Sequence, residues 1–409
     1  MKRLIVIAVS GLLLTGGTGC EESAPPSVVA DDASVADPLE GDTEDIAASD
    51  GAHGGLAPGD PWEEGPYAPG HTTVMLLDDA RERLLTVEVW YPSQGSESEV
   101  APTETFEAEA APRATLADLL EVAPDGCPTR FIGAARDASP YPGLGALPLA
   151  VFSHCMNCGR YASFSLAERL ASHGMVVLAA DHAGPLPFVE GAQGEPLESE
   201  QLDVRAADVS ALIDAAIGGE VFAASEVLAG LSVDPEHIGA YGHSFGSVTV
   251  GRAAQGDTRI RAAAGLAAPM ASLFFPSVTM AGITVPLLMV LAEEDNSIME
   301  IGNGFLRDNV AEANPPVWRV DIADAGHWSI SDVCGLTEAF MAGCGAGERH
   351  SEGRTGEAFE FLPSVEGIGI VQRYLTTFML AHAAGDEGAM ALLEALPEQS
   401  GVSVTVRLN

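Results

Sequence analysis

Lysine is almost missing from this sequence. Lys2 is the only lysine in 409 residues, and lysine and arginine together number 19 against 59 aspartates and glutamates, which gives a formal net charge of −40. A surface this acidic repels phosphates and anionic lipid headgroups, which argues against nucleic acid and anionic lipid as partners. The lack of lysine also excludes a serine–lysine dyad, so a nucleophilic serine in this chain needs a histidine as its base.

The N-terminus is apolar, but its run of apolar residues is too short for a membrane span. Residues 4–14 form an apolar stretch that is too short to cross a bilayer. With Lys2 and Arg3 before it and small residues up to Cys20, this stretch is typical of a bacterial export signal. We therefore predict an exported protein with a signal peptide over residues 1–20.

The end of this signal, Gly17-Thr18-Gly19-Cys20, resembles the lipobox of bacterial lipoproteins. In those proteins the cysteine is lipidated and becomes the mature N-terminus. Gly17 departs from the pattern, because a leucine-like residue usually stands three before the cysteine. The resemblance implies attachment to the cell envelope through a lipidated Cys20. An ordinary signal peptide, cut nearby to give a secreted or periplasmic protein, stays open as the alternative.

Residues 21–70 contain no lysine or arginine and show neither helical nor strand periodicity. They are rich in Ala, Gly, Pro, Asp and Glu, which predicts a disordered acidic linker that reaches roughly 40 Å as a flexible coil. Hydrophobic residues make up 47% of the chain, which is enough for one large domain with a buried core. We assign this single domain to residues 71–409.

The segment Gly242-His243-Ser244-Phe245-Gly246 matches the G-x-S-x-G nucleophile elbow, in which a serine sits on a strained turn from strand to helix. Both glycines have a steric reason, because side chains there would collide with the neighbouring strand and helix. The pattern predicts Ser244 as a nucleophile. Five residues can also form an ordinary Gly/Ser-rich turn, so the rest of the chain has to supply the partners of such a serine.

Strands alternate with helices along the chain. Residues 72–77 and 84–91 indicate two antiparallel strands joined by a turn. The later strands are apolar runs separated by helical patterns, which favours a mainly parallel sheet buried on both faces. In chain order, strands three to eight are residues 147–153, 175–180, the run that leads into Ser244, 262–266, 285–291 and 317–322. With the serine elbow after the fifth strand, this order predicts an α/β-hydrolase fold, with a mainly parallel eight-stranded sheet flanked by helices and with antiparallel N-terminal strands.

The first loop after the serine that could carry the acid of a catalytic triad contains no carboxylate. The acid and then the histidine must follow the serine, on loops at the carboxyl ends of later strands. No carboxylate lies between Asp257 and Glu293, so the loop after strand six cannot supply the acid. The loop after strand seven holds three. Asp295 is our choice, because α/β-hydrolases often show a Gly-x-x-Asp-like pattern there, with Ala292 in place of the glycine, and Glu294 is the alternative.

One histidine follows the last predicted strand, in the segment Asp324-Ala325-Gly326-His327. The Ala-Gly pair leaves room for His327 to reach back over the strand ends, so we predict it as the base. Seven other histidines of the domain fit less well, because they lie inside the elbow, before the serine, or in late elements: His243; His154, His173, His182 and His237; His350 and His382.

These residues define a mechanism. His327 removes the proton from Ser244 as the serine attacks a carbonyl and returns it to the leaving alcohol, while Asp295 orients the imidazole and stabilises its cation. The tetrahedral oxyanion needs hydrogen-bond donors. One is the backbone N–H of Phe245, directly after the nucleophile. The second should come from the loop after the third strand, residues 153–160.

Several segments resemble a bacterial branch of the α/β-hydrolases related to platelet-activating factor acetylhydrolase and dienelactone hydrolase. Besides the elbow pentapeptide, they are Val151-Phe152-Ser153-His154, Leu166-Ala167-Glu168-Arg169-Leu170-Ala171-Ser172-His173-Gly174, Ala180-Asp181-His182 and His327-Trp328-Ser329-Ile330-Ser331-Asp332-Val333-Cys334. The likeness covers residues 72–395, and no motif in it is diagnostic of a substrate.

This resemblance implies a second oxyanion donor. In that branch it is the residue two after the strand-three histidine, which corresponds to Met156 here. A glycine usually follows that histidine, whereas this chain has Cys155. The position of Asp295 after strand seven is similar to dienelactone-hydrolase-like and cutinase-like enzymes. It departs from the eukaryotic acetylhydrolases, in which the acid follows strand six.

Cysteines are few, and five follow Cys20. Export to an oxidising compartment favours disulfides among them. We expect a local bridge between Cys334 and Cys344. Two pairings stay open for the others: Cys155 and Cys158 bridge each other, or one of them pairs with Cys127. Because five is an odd number, one thiol stays free.

We therefore expect a serine carboxylic ester hydrolase without a metal or cofactor. A zinc half-site of His154, Cys155 and Cys158 lacks a second ligand pair at a suitable spacing. The resemblance implies small-molecule esters with short acyl groups, or phospholipid acyl groups, as substrates. Two alternatives stay open: a lactone, dienelactone or polyester hydrolase with the same triad, and a non-catalytic lipoprotein that uses this fold as a binding module. The oligomeric state cannot be read from the sequence.

Overall fold

The computed structural model describes residues 59–95, 100, 102, 106, 110–182, 196–341 and 343–409. The predicted signal peptide, Cys20 and most of the predicted linker lie outside these residues. Within the described ranges, every helix falls short of the length and apolarity that a membrane span requires.

The strands of the described residues are β1 (Ala68–Asp78), β2 (Arg83–Ser93), β3 (Ala135–Arg136), β4 (Leu147–Ser153), β5 (Val176–Ala180), β6 (Val233–His243), β7 (Ala262–Leu266), β8 (Leu287–Ala292), β9 (Val317–Ile322), β10 (Ala346–Glu348), β11 (Ala358–Glu360) and β12 (Val402–Arg407). Ten of these strands form one sheet in the order β12-β9-β8-β7-β6-β4-β5-β2-β1-β3, and β10 pairs with β11 apart from it.

The large sheet is mainly parallel. Strands β5, β4, β6, β7, β8 and β9 run parallel to one another, whereas β2 is antiparallel to both β1 and β5, and β12 is antiparallel to β9. The predicted number of eight strands was wrong, because β3 and β12 extend the two edges of the sheet. Their patterns are weak: β3 has two residues, and β12 has only half-buried and exposed side chains.

The helices are α1 (Ala110–Val122), α2 (Phe164–Ser172), α3 (Ser199–Gly218), α4 (Glu220–Ala223), α5 (Phe245–Gly256), α6 (Met299–Glu312), α7 (Ser364–His382) and α8 (Glu387–Glu394). They cover both faces of the sheet, with α2, α7 and α8 in one hydrophobic core and α3, α5 and α6 in the other. Successive strand residues point to opposite faces, so Val151 joins one core and Phe152 the other. This two-sided burial is why the central strands are continuous apolar runs.

The folded domain begins before residue 71, which corrects the predicted end of the linker. Glu64 forms an ion pair with Arg169 on α2 at 2.6 Å. The ring of Trp62 lies edge-on to Tyr374 of α7, with ring centres 5.6 Å apart. Strand β1 then starts at Ala68. The acidic composition concealed these contacts, because the partners of Glu64 and Trp62 lie on α2 and α7, far away in sequence.

The disulfides join Cys127 to Cys344 and Cys155 to Cys158. The predicted bridge between Cys334 and Cys344 was therefore wrong, and Cys334 is the free, buried cysteine of the described residues. Its thiol instead donates a hydrogen bond to the carbonyl of Gly343. The partner of Cys344 lies 217 residues away in sequence, so only the folded chain brings the two together.

Candidate active site

The six parallel strands end at one edge of the sheet, where the loops after β4, β6, β8 and β9 meet. Ser244 lies at this edge between β6 and α5 and has φ +56° and ψ −119°, a backbone conformation that is strained for a residue with a side chain. A Cβ on Gly242 would overlap the carbonyl of Gly246, and one on Gly246 would overlap the carbonyl of Ser153. The turn therefore requires both glycines, as the motif predicted.

Ser244, His327 and Asp295 form a continuous hydrogen-bonded chain. Ser244 Oγ lies 2.8 Å from His327 Nε2, and His327 Nδ1 lies 2.7 Å from Asp295 Oδ2. His327 and Asp295 are fully buried, whereas Ser244 is half-buried. Because Nδ1–H donates to the carboxylate, Nε2 is left to accept the proton of the serine hydroxyl.

Two loops bring the acid and the histidine together. Asp295 follows β8, and its second carboxylate oxygen accepts hydrogen bonds from the backbone N–H groups of Ser297 and Ile298, both at 2.9 Å. The loop of His327 follows β9. The N–H of Glu294 donates to the carbonyl of Ala325 at 2.9 Å, which ties the acid loop to the histidine loop. The Asp295 carboxylate is thus held by His327 on one oxygen and by the two backbone N–H groups on the other.

Glu294, the alternative acid, points elsewhere. Its carboxylate accepts hydrogen bonds from Arg349, Arg354, the backbone N–H of His350, and both the hydroxyl and N–H of Ser351, at 2.7 to 3.0 Å. Burial alone would raise its pKa, but the hydrogen bonds from Ser351 and Arg349 outweigh burial and lower the pKa below the ordinary value. Glu294 therefore anchors the segment around β10 and β11.

His243, for which no role was predicted, supports His327. Its Nε2–H donates to the backbone carbonyl of His327 at 2.9 Å. Burial, followed by the neighbouring His327, lowers the pKa of His243 to about 3, so its ring is neutral. The ring of Trp328 lies edge-on to His327, with ring centres 4.8 Å apart. The residue directly before the nucleophile thus fixes the backbone of the histidine.

The two predicted oxyanion donors lie on adjoining segments. Phe245 opens α5, and the positive end of a helix dipole favours a developing negative charge. Met156 belongs to the loop after β4, and the carbonyls of Ser153, at the end of β4, and of His154 closely approach Gly246. Among the described residues, none accepts a hydrogen bond from the backbone N–H of Phe245 or Met156. Within the described ranges, both N–H groups therefore lack a protein acceptor, as an oxyanion donor requires.

Arg205 of α3 contacts both of these segments. Its guanidinium lies 4.7 Å from the centre of the Phe245 ring, and its Nη2 donates to the carbonyl of His154. Arg205 is fully buried. Burial and then the positive charge of Arg205 hold the pKa of His154 well below its ordinary value. The neutral His154 ring donates from Nδ1 to the carbonyl of Cys155 at 2.7 Å.

A second serine–histidine–aspartate chain lies beside the first. Ser153 Oγ is 3.0 Å from His182 Nε2, and His182 Nδ1 is 3.1 Å from Asp208 Oδ2. All three residues are buried, and Ser153 lies within the regular strand β4. The carboxylate of Asp208 is also paired with Arg81 and Arg83. This chain supports the end of β4, and its serine is closed to a substrate.

Sequence reasoning missed His243, Arg205 and Asp208 as supports of the site. A signal was present for the two residues of α3, since Arg205 and Asp208 lie at helical spacing between the buried Leu202 and Val209. Charged side chains inside an apolar helical stripe are rarely buried without a specific partner.

Within the described residues, no group of three or more histidine, cysteine, aspartate or glutamate side chains is arranged to hold a metal.

Comparisons with known proteins agree with this architecture. Residues 60–185 match the family model of platelet-activating factor acetylhydrolase, isoform II. The structure of a ferulic acid esterase from Streptomyces cinnamoneus is similar, with a TM-score of 0.59 and 23% identity over 83% of this chain and 96% of that chain. No curated protein matches the sequence. The chain has the α/β-hydrolase fold.

The family match covers only the first part of the domain. The matched residues 60–185 contain β1 to β5 and the loop that bears Met156, but end before the elbow. Over these residues the chain is similar to the platelet-activating factor acetylhydrolase family.

Proposed function

We propose that this protein is a serine esterase in which Ser244 is the nucleophile, His327 the general base and Asp295 the orienting acid. The observation that carries the proposal is the hydrogen-bonded chain from Ser244 Oγ through His327 to Asp295, with both distances under 3 Å. The strained backbone of Ser244 supports it, since strain of this kind is typical of functional sites.

The reaction has two halves. Ser244 Oγ attacks the ester carbonyl while His327 Nε2 takes its proton, and the tetrahedral intermediate collapses as His327 gives that proton to the leaving alcohol. The product of this half is an acyl-enzyme. Water then attacks the acyl carbonyl, with His327 taking a proton from the water, and the carboxylic acid leaves as the proton returns to Ser244.

The oxyanion of each tetrahedral intermediate would be bound by the N–H groups of Phe245 and Met156. Their lack of an acceptor among the described residues supports this assignment. A preorganised donor of this kind lowers the barrier by on the order of 3 kcal/mol. The position of Phe245 at the start of α5 adds the helix dipole to the same charge.

For the substrate we propose an ester with a short acyl group, including the acyl group of a phospholipid, by the relationship to platelet-activating factor acetylhydrolases. Lactones, dienelactones and polyesters are the competing substrates for the same triad. The similar ferulic acid esterase adds an aromatic acyl group to the esters worth testing. Hydrolysis rates across a panel that varies acyl length, leaving group and headgroup discriminate among these classes.

The site is tested with a fluorophosphonate probe, which reacts with activated serines. We expect labelling of the wild-type protein and none of Ser244→Ala. Ser153→Ala is the matched control, because Ser153 belongs to the buried second chain, and we expect it to label like wild type. A folded wild-type protein that neither labels nor hydrolyses any ester of the panel would instead support a non-catalytic binding module.

We further propose that the protein is exported and attached to the cell envelope by a lipid on Cys20, on the basis of residues 1–20 alone. Growth of expressing bacteria with an alkyne-labelled fatty acid tests this. Incorporation into wild type and its loss in Cys20→Ala support the anchor. An unlabelled, exported protein would point to an ordinary signal peptide.

A further inference from the structure

The turn that bears Met156 is closed by a disulfide. Cys155 and Cys158 are bridged, and the N–H of Cys158 donates to the carbonyl of Cys155 at 3.2 Å. Asn157, inside this ring, has φ +57°, a left-handed conformation that costs free energy in a residue with a side chain. Met156 and Asn157 are therefore enclosed in a small covalent ring.

Other contacts fix the chain on both sides of this ring. Before it, the His154 carbonyl accepts a hydrogen bond from Arg205, and its Nε2 accepts one from the backbone N–H of His182 at 3.2 Å. After it, the N–H and guanidinium of Arg160 bind the carboxylate of Asp181 at 2.7 and 2.9 Å. Opening the disulfide would leave these anchors in place and would remove a covalent restraint from the residues between them.

The residues between the anchors include the N–H that the proposed reaction uses. An oxyanion donor acts by being held in place before the charge develops, so its orientation matters as much as its presence. The elbow side of the site is held by α5, whereas Met156 lies in a loop without a helix or strand of its own. Cys155 follows His154 directly, so the disulfide begins at the first residue after the histidine.

We propose that the Cys155–Cys158 disulfide is a positioning element for ester hydrolysis, which holds the N–H of Met156 toward the oxyanion. The inference rests on the proposed esterase function. It assigns the disulfide a role in the rate of the chemical step, beyond any contribution to folding. Reduction would then lower kcat and leave substrate binding almost unchanged.

Two paired variants of the full chain separate this role from folding. Cys155→Ser with Cys158→Ser removes the disulfide of the turn, and Cys127→Ser with Cys344→Ser removes the other described disulfide. For the first variant we expect kcat to fall about tenfold with KM within about twofold, because an interaction made mainly in the transition state is lost. For the second we expect a lower melting temperature and a smaller change in kcat.

A reductant provides an independent measurement that does not depend on how the first variant folds. Dithiothreitol converts the disulfide into two thiols and is itself oxidised to a cyclic disulfide. Because Cys155 and Cys158 are buried, thiol alkylation and mass spectrometry verify that the bond has opened before kcat is compared. In the Cys127→Ser, Cys344→Ser variant it should lower kcat about tenfold, whereas the Cys155→Ser, Cys158→Ser variant should show no further loss. Burial raises the pKa of Cys334 to about 12, so its thiol stays protonated and a poor partner for exchange.

The binding affinity of a trifluoromethyl ketone inhibitor separates the two roles, because a disulfide that serves only the stability of the fold would not affect it. The ketone forms a tetrahedral adduct with the serine and places an oxyanion in the site, so opening the disulfide should weaken its binding by the same factor as kcat/KM. A kcat within about twofold of wild type after opening, in a protein that is folded by circular dichroism, overturns the proposal. A wild-type protein without esterase activity overturns the proposed function as well.

Discussion

His243 donates a hydrogen bond from Nε2 to the backbone carbonyl of His327 at 2.9 Å. The residue that precedes the nucleophile therefore holds the backbone of the residue that activates it. His243 is the last residue of strand β6 and is held by the hydrogen bonds of the sheet. Through His243, the sheet therefore restrains the distance between Ser244 and His327.

His243→Ala should lower kcat about tenfold with little change in KM, because the imidazole of His327 loses its fixed distance to Ser244. His382→Ala is the matched control. Burial lowers the pKa of His382 to about 4, so it too is a neutral histidine, and it packs against Trp318 and Phe378 in the core. We expect the His382→Ala control to lose stability and keep kcat. Thermal melting measures the stability of both variants, and steady-state kinetics measures their kcat and KM.

Asp295→Asn should lower kcat by a factor on the order of 10³ to 10⁴, since an amide no longer stabilises the cation of His327 or fixes its tautomer. Glu294→Gln is the matched control in the neighbouring position. It weakens the contacts to Arg349 and Arg354, so we expect reduced stability and kcat within about threefold of wild type. A large loss of kcat in Glu294→Gln together with nearly unchanged kcat in Asp295→Asn would instead identify Glu294 as the acid of the triad.

Gly246→Ala should abolish activity or prevent folding, because its Cβ would overlap the carbonyl of Ser153 and push the elbow away from β4. Gly369→Ala in α7 is the control, since a Cβ there meets nothing within 4 Å. Within a helix this exchange raises stability by about 1 kcal/mol. Urea unfolding and ester hydrolysis of both variants provide the comparison, and an active Gly246→Ala protein would contradict the described elbow.

Burial raises the pKa of Glu168 from 4.5 to about 8, although the N–H groups of Ala134 and Gly133 donate to it. A carboxyl with a raised pKa in the folded state contributes its full stability below pH 4.5, and this contribution is lost as the pH rises through about 8. Glu168→Gln removes the titration. Relative to this variant, the wild-type free energy of unfolding should fall between these values, by at most about 1.4 kcal/mol per pH unit.

Urea unfolding of both proteins across this pH range measures the difference. Glu366→Gln, which changes an exposed carboxylate at the start of α7, is the control and should follow the wild-type curve. Parallel curves for wild type and Glu168→Gln would show that Glu168 keeps the same protonation in the folded and unfolded chain.

Local patterns in the sequence determined much of the fold and the positions of the triad candidates. Strands such as β4 are continuous apolar runs because both of their faces are buried, and the elbow needs glycines because two backbones meet there. The absence of carboxylates between Asp257 and Glu293 moved the acid to the loop after β8. The hydrogen bonds among Ser244, His327 and Asp295 themselves are visible only in the structure.

Only the tertiary structure decided which distant residues meet. The chain pairs Cys344 with Cys127 across 217 residues and leaves Cys334 free. It also brings Arg205 of α3 onto both the Phe245 ring and the His154 carbonyl. A strand, a helix or a tight turn is encoded by neighbouring side chains, whereas these contacts depend on how helices and loops pack over the sheet. For that reason the sequence determined the candidate nucleophile, while the packing decided what holds its site together.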